Sequence, residues 1–213
     1  LDAIRGAGFS QVMLLARDLV QHPNGWQAAV QEVKDSGLRV TGFQVLRDFE
    51  GLSGHLHEYK IDIAKSMLEM CHALGCGVML ACSSTSTHAT GETSALVRDL
   101  RKLAMLAIPM NIKIAFEALS WGRTINEFPQ AWDIISQADM PNLGLGFDSF
   151  HMFATKTPLT NWKCWTRTRF SWCSWQISCG MKSRRWKNAS APRAPFVCFP
   201  EKACTVRRWP NWR

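Results

Sequence analysis

Glu117 and Asp148 each close an apolar run, and His151 follows the second run by three residues. Two carboxylates held close together repel unless a proton or a cation lies between them, and oxygen-rich sites suit magnesium, manganese and similar divalent ions. An imidazole, with an unperturbed pKa of about 6.5, transfers protons at neutral pH. Taken singly, each acid is equally readable as a solvated strand end or as a partner for a nearby arginine. Their repeated position favours a shared metal, with Glu117 and Asp148 as ligands.

The elements that must position them follow from periodicity. Ile112, Ile114 and Phe116 alternate with Lys113 and Ala115 up to Glu117, and Leu143-Gly144-Leu145-Gly146-Phe147-Asp148 repeats the plan. Between them, Ile125 to Ala138 spaces Phe128, Trp132, Ile134 and Ile135 as a helix. Strand, helix, strand is one parallel crossover unit. Upstream, strands are expected at Gln11 to Ala16, Leu38 to Leu46 and Gly77 to Cys82. Helices are expected at Trp26 to Asp35, closed by Gly37, at His57 to Leu74, and at Glu92 to Ile108. Strands alternating with helices at a spacing of about 30 residues predict a parallel α/β fold. In a barrel of this kind the carboxyl ends of the strands converge on one mouth, so Glu117 and Asp148 would face each other there. A closed eight-stranded barrel takes about 250 residues, so the expectation is an incomplete (β/α)8 TIM barrel, wanting one strand before Leu1 and two after Asp148. A dinucleotide-binding sheet is disfavoured because no strand runs into a Gly-x-Gly-x-x-Gly turn; Gly144 and Gly146 lie inside a strand.

The chain starts at Leu1 without a charged leader and has no apolar stretch of membrane-spanning length, so it reads as an internal fragment of a cytoplasmic protein. Its 213 residues are 46% hydrophobic, enough for the core of one domain. Cys71, Cys76 and Cys82 lack zinc-site spacing and fall on apolar faces, which predicts reduced core thiols. Met67, Met70 and Met79 read as core, and His55 and His57 as solvated side chains at a helix entry.

Four segments together resemble a known family: Phe43-Gln44-Val45-Leu46-Arg47-Asp48-Phe49-Glu50-Gly51, Ala81-Cys82-Ser83-Ser84, Glu117-Ala118-Leu119-Ser120-Trp121-Gly122-Arg123 and Asp148-Ser149-Phe150-His151. From Leu1 to about Thr157 the chain is similar to the sugar phosphate isomerase/epimerase group of xylose isomerase-like barrels, and most closely to its bacterial 3-dehydroshikimate dehydratase branch. The resemblance implies a divalent metal (magnesium, manganese or cobalt) held by four strand-end side chains, of which Glu117 and Asp148 match the first two. It implies loss of water from a small cyclic ketoacid to give protocatechuate, with His151 as the catalytic histidine. Arg47 and Arg123 are then candidate anchors for the substrate carboxylate through paired donors, although each also reads as a structural arginine. A sugar isomerase or epimerase on the same barrel is the alternative activity.

The composition changes near Lys156. Residues 1–155 carry 12 basic against 16 acidic side chains, whereas residues 156–213 carry 13 against one, so the net charge of +8 comes from the tail. Seven of the ten tryptophans and five of the eight cysteines also lie there, without strand or helix periodicity, which sets a barrel domain at 1–155 apart from an irregular basic tail at 156–213. A basic, aromatic segment is one way to bind single-stranded nucleic acid, but a change of reading frame is the simpler account. Tryptophan has a single codon, so a one-base shift forces Trp162 with Lys163 to read Glu, Trp165 with Thr166 to read Asp, and Trp172 with Cys173 to read Val. The shifted frame also permits Phe-Leu-Val-Gln-Leu-Ala-Asp and, from Phe196, Arg-Val-Phe-Pro-Gly-Glu-Gly-Val-His, which resemble the family's Gln and Glu ligand motifs. On this reading the chain as written is inactive, nucleic acid is not its partner, and no oligomeric state follows.

Overall fold

Each stretch read as a strand or helix between Gln11 and Asp148 forms that element in the computed structural model. The structure describes residues 1–157 and, beyond them, the backbone of Phe170–Trp175 and Phe196–Cys198. The strands are β1 (Gln11–Leu15), β2 (Arg39–Arg47), β3 (Val78–Cys82), β4 (Lys113–Glu117), β5 (Leu143–Asp148), β6 (Phe170–Trp175) and β7 (Phe196–Cys198). The helices are α1 (Asp2–Gly6), α2 (Ala16–Val20), α3 (Trp26–Asp35), α4 (Gly54–Ala73), α5 (Thr93–Ala107), α6 (Phe128–Ala138) and α7 (Ser149–Thr155). Periodicity did not anticipate the short α2 and α7. In α7 the cause is local: the Asp148 carboxylate accepts the Phe150 N–H at 2.7 Å and caps the first turn.

The seven strands lie side by side in chain order, with β1 to β6 parallel and β7 antiparallel to β6. Chain-order pairing of parallel strands is the arrangement of a barrel wall, since a doubly wound sheet reverses direction from its first strand. The strand at Phe170–Trp175 departs from the expectation of an irregular tail. Phe, Trp and Cys suit an extended backbone, and β5 would otherwise present unpaired N–H and C=O groups along that edge. Cys164, Cys179 and Cys204, with the other tail positions between and beyond these strands, lie outside the described residues.

Strand side chains alternate between two faces. Phe43, Leu46, Met79, Ala81, Ile114, Phe116, Leu145 and Phe147 point into the main core with the helices, where Met67, Leu68, Leu100, Leu103 and Ile135 meet them. Leu80, Cys82, Ala115 and Leu119 form a smaller cluster on the other face, with Met13 and Val45 against it. Arg101 bonds the Gln137 and Ala138 carbonyls at the end of α6, and the Asn142 amide donates to the Ala104 and Ile112 carbonyls. These bonds fix α5, α6 and the start of β4 as one block beneath the strand ends. Among the described residues, no helix is long and apolar enough to cross a membrane.

Candidate metal centre

The site begins with strand parity. Glu117 shares a face with Ala115, and β4 pairs Glu117 with Cys82 on one side and Gly146 on the other. Asp148, two residues beyond Gly146, returns to that same face. A methyl group at Gly146 would lie 3.1 Å from Leu80 Cδ1 and 3.4 Å from Glu117 Cβ, so the glycine leaves the space into which the two acids converge. Glu117, Asp148 and His151 each offer a ligand atom, and these atoms lie within 4.8 Å of one another.

Burial makes this convergence costly in the absence of a cation. Glu117 is 6% exposed, and its pKa is pushed up to about 7, first by burial and then by the neighbouring Asp148 charge. The Cys82 thiol, which donates to Glu117 Oε2 at 3.3 Å, and the Arg47 charge act in the opposite direction. Burial likewise raises Asp148, against the Phe150 N–H bond and the attraction of His151. Both shifts are, first of all, those of carboxyls taken out of water.

His151 is held by the loop after β4. Its Nδ1 accepts the Ser120 backbone N–H at 3.1 Å and lies 3.1 Å from Ser120 Oγ. A backbone N–H only donates, so the neutral ring carries its proton on Nε2. Burial lowers the His151 pKa, and Asp148 pulls it back up. The Trp121 ring stands edge-on at 4.8 Å and the Phe150 ring at 5.3 Å, both partly exposed beside the imidazole.

Hydrogen bonds lace the rim around these groups. Asp48 accepts from Thr85 N, Thr85 Oγ1 and Ser84 Oγ, and Glu50 accepts the Ser84 N–H, which ties the loop after β2 to that after β3. The next link runs from β3 to β4: Ser83 N–H donates to the Glu117 carbonyl at 2.8 Å, Leu119 N–H to Ser83 Oγ at 2.9 Å, and Arg123 N–H to the Ser84 carbonyl at 2.8 Å. A side chain at Gly122 would collide with the Ile125 carbonyl and stand 2.6 Å from Ser83 Oγ. Arg47 ends β2 and pairs with Cys82, which pairs in turn with Glu117, and Lys60 holds the Arg47 carbonyl at 2.8 Å. Arg123 is an exposed rim residue tied to the site through its backbone alone among the described contacts.

Some roles escaped the sequence. Cys82 is a buried free thiol like Cys71 and Cys76, as expected, but unlike them it touches a candidate ligand. Its parity with Ala115 and Glu117 across paired strands was the available signal. Ser83, Ser84, Ser120 and Glu50 lie inside the quoted motifs, yet their loop-to-loop partners depend on register. His57 is a correction: its side chain is 13% exposed and stands 3.7 Å from the buried Asp99, because α4 begins at Gly54 and carries it against α5. His55 is solvent-exposed beside Glu58, as expected.

The carboxylates of Glu117 and Asp148 converge on one point and supply oxygens that fit a divalent cation, with the His151 imidazole beside them. Comparison with known proteins agrees with the architecture. The chain is 38% identical over 151 residues to the 3-dehydroshikimate dehydratase of Pseudomonas aeruginosa, a match covering 71% of this chain and 24% of that protein. A solved xylose isomerase-like TIM barrel/4-hydroxyphenylpyruvate dioxygenase fusion protein superposes with a TM-score of 0.67 at 36% identity, over 73% of this chain and 25% of that one. The inosose isomerase of Bacillus licheniformis is 31% identical over 135 residues, 62% of this chain and 47% of that protein. The chain thus spans about a quarter of the length of the first two. Residues 1–169 match the model for the xylose isomerase-like TIM barrel, and with six parallel strands in chain order the chain belongs to that family.

Proposed function

We propose that this chain carries the first part of the active site of a divalent-metal-dependent lyase, one that removes water from 3-dehydroshikimate to give protocatechuate. The convergence of Glu117, Asp148 and His151 at adjacent strand ends carries the reading, and the dehydratase relative supports the substrate class. Glu117 and Asp148 hold the cation, which supplies Lewis acidity toward a substrate carbonyl oxygen when bound. Phe150 N–H occupies one Asp148 oxygen, and this fixes the other for coordination. His151 is the proton-transfer group, with Nδ1 held by the Ser120 N–H and its pKa lowered by burial against the pull of Asp148. Trp121 and Phe150 stand edge-on to its ring at 4.8 and 5.3 Å. Arg47, whose charge opposes the rise of the Glu117 pKa, anchors the substrate carboxylate, with Arg123 as the second candidate on the rim.

We take the tail from Lys156 onward as read in a shifted frame, with the remaining ligands encoded in the other frame. The test is a full-length version with that frame restored and the barrel closed, supplied with manganese or magnesium. Formation of a catechol acid absorbance from 3-dehydroshikimate, lost in Glu117→Ala, supports the reading. The inosose isomerase relative favours one alternative, isomerisation of a cyclic polyol ketone. Turnover of inosose without dehydration would establish that reading instead.

A further inference from the structure

A buried carboxylate needs hydrogen-bond partners to offset the loss of water. Among the described residues, the only donor to the Glu117 side chain is Cys82, whose Sγ lies 3.3 Å from Oε2. The contact follows from register: Cys82 and Glu117 are direct partners across β3 and β4, on the same face. Cys82 is 3% exposed and enclosed by Leu80, Ala115 and Leu119, so no solvent competes for its proton. The adjacent backbone is held separately, by Ser83 N–H on the Glu117 carbonyl and Leu119 N–H on Ser83 Oγ. The thiol therefore acts on the carboxylate alone, not on the strand.

We propose that Cys82 is a positioning residue for the metal centre: its thiol locks the Glu117 carboxylate in the orientation that meets Asp148 and His151. This rests on the reading of Glu117 as a cation ligand. A carboxylate has lone pairs for about four contacts, so the bond to Oε2 restrains its rotation and still leaves room for a cation. A thiol is a weak donor, strengthened here by a charged acceptor, and a serine hydroxyl at the same place would serve in its stead.

Two measurements test the proposal, the first on the 213-residue chain and the second on the full-length, frame-restored protein. The first is the infrared S–H stretching band of Cys82, isolated as the difference between the chain and Cys82→Ser. It is expected at lower wavenumber than a free thiol, moving back toward the free position in Glu117→Gln and further in Glu117→Ala. A band at the free-thiol position, or one unmoved by both Glu117 variants, overturns the proposal. The second is manganese affinity by calorimetry. Loss of an outer partner of a metal ligand typically costs about 10- to 100-fold in affinity, so Cys82→Ala is expected to bind manganese about tenfold more weakly and Cys82→Ser to recover most of the loss. Equal affinity in Cys82→Ala overturns the proposal. If the frame-restored protein binds no manganese, the ligand reading of Glu117 and the positioning role both fall, while the infrared band still decides whether the thiol–carboxylate bond exists.

Discussion

At the scale of single residues, Glu117 decides whether the centre can hold a charge. Its pKa of about 7 without a cation means that proton and metal compete for the same oxygens near neutrality. Ion binding needs the deprotonated form, so manganese affinity is expected to rise with pH through about 7 and to level off above it. Calorimetry of the frame-restored protein at pH 6, 7 and 8 checks this. Glu117→Gln keeps the shape but removes the charge, and should weaken binding at every pH while flattening the dependence. Gly146 sets the space available to the carboxylate. Gly146→Ala brings a methyl group to 3.1 Å from Leu80, so a loss of about 1–3 kcal/mol in urea unfolding is expected, together with weaker metal binding.

At the scale of elements, the loops after β2, β3 and β4 behave as one unit because buried side chains tie them together. Ser83 Oγ satisfies the buried Leu119 N–H, so Ser83→Ala should cost about 1–3 kcal/mol by leaving that donor unpaired. Glu50 provides a pH signature. It is completely buried, one oxygen accepts the Ser84 N–H, the other has no partner among the described residues, and burial raises its pKa to about 8 from an ordinary value of 4.5. Between those values the folded chain binds more protons than the unfolded one, so stability is fully present below the unfolded value and declines as pH rises toward 8. The urea midpoint should therefore fall from pH 5 to pH 8, and Glu50→Gln should flatten the trend. The strand ends that carry Glu117 and Asp148 were legible from period-two alternation, and their common face from counting parity. The ties made by Ser83, Ser84, Ser120 and Glu50 were not, because they join loops whose spacing is set by register and not by local pattern. The short α7 depends on a single capping carboxylate, too brief a signal for periodicity to register.

At the scale of the whole molecule, chain-order pairing of β1 to β6 matches the barrel expected from alternating strands and helices, and the family match over residues 1–169 agrees with it. The tail was less legible: β-favouring residues at Phe170–Trp175 pair with the β5 edge although they show no alternation. The break in charge and tryptophan content at Lys156, with 13 basic residues against one acidic after it, is what motivates the shifted frame. On that reading the 213-residue chain contains two of four metal ligands and should show no dehydratase activity with any divalent ion. Absorbance assays with manganese, magnesium and cobalt check this.

The most direct measurement is the rate of catechol acid formation from 3-dehydroshikimate by the full-length, frame-restored protein, with and without manganese, beside its Glu117→Ala variant. The expected result is a cation-dependent rate that falls by at least about 100-fold in the variant, as for loss of a group that stabilises developing charge. Dehydration that persists in Glu117→Ala, or that proceeds equally after chelation of the cation, would contradict the assignment of Glu117 and Asp148 as the metal-holding pair of a lyase.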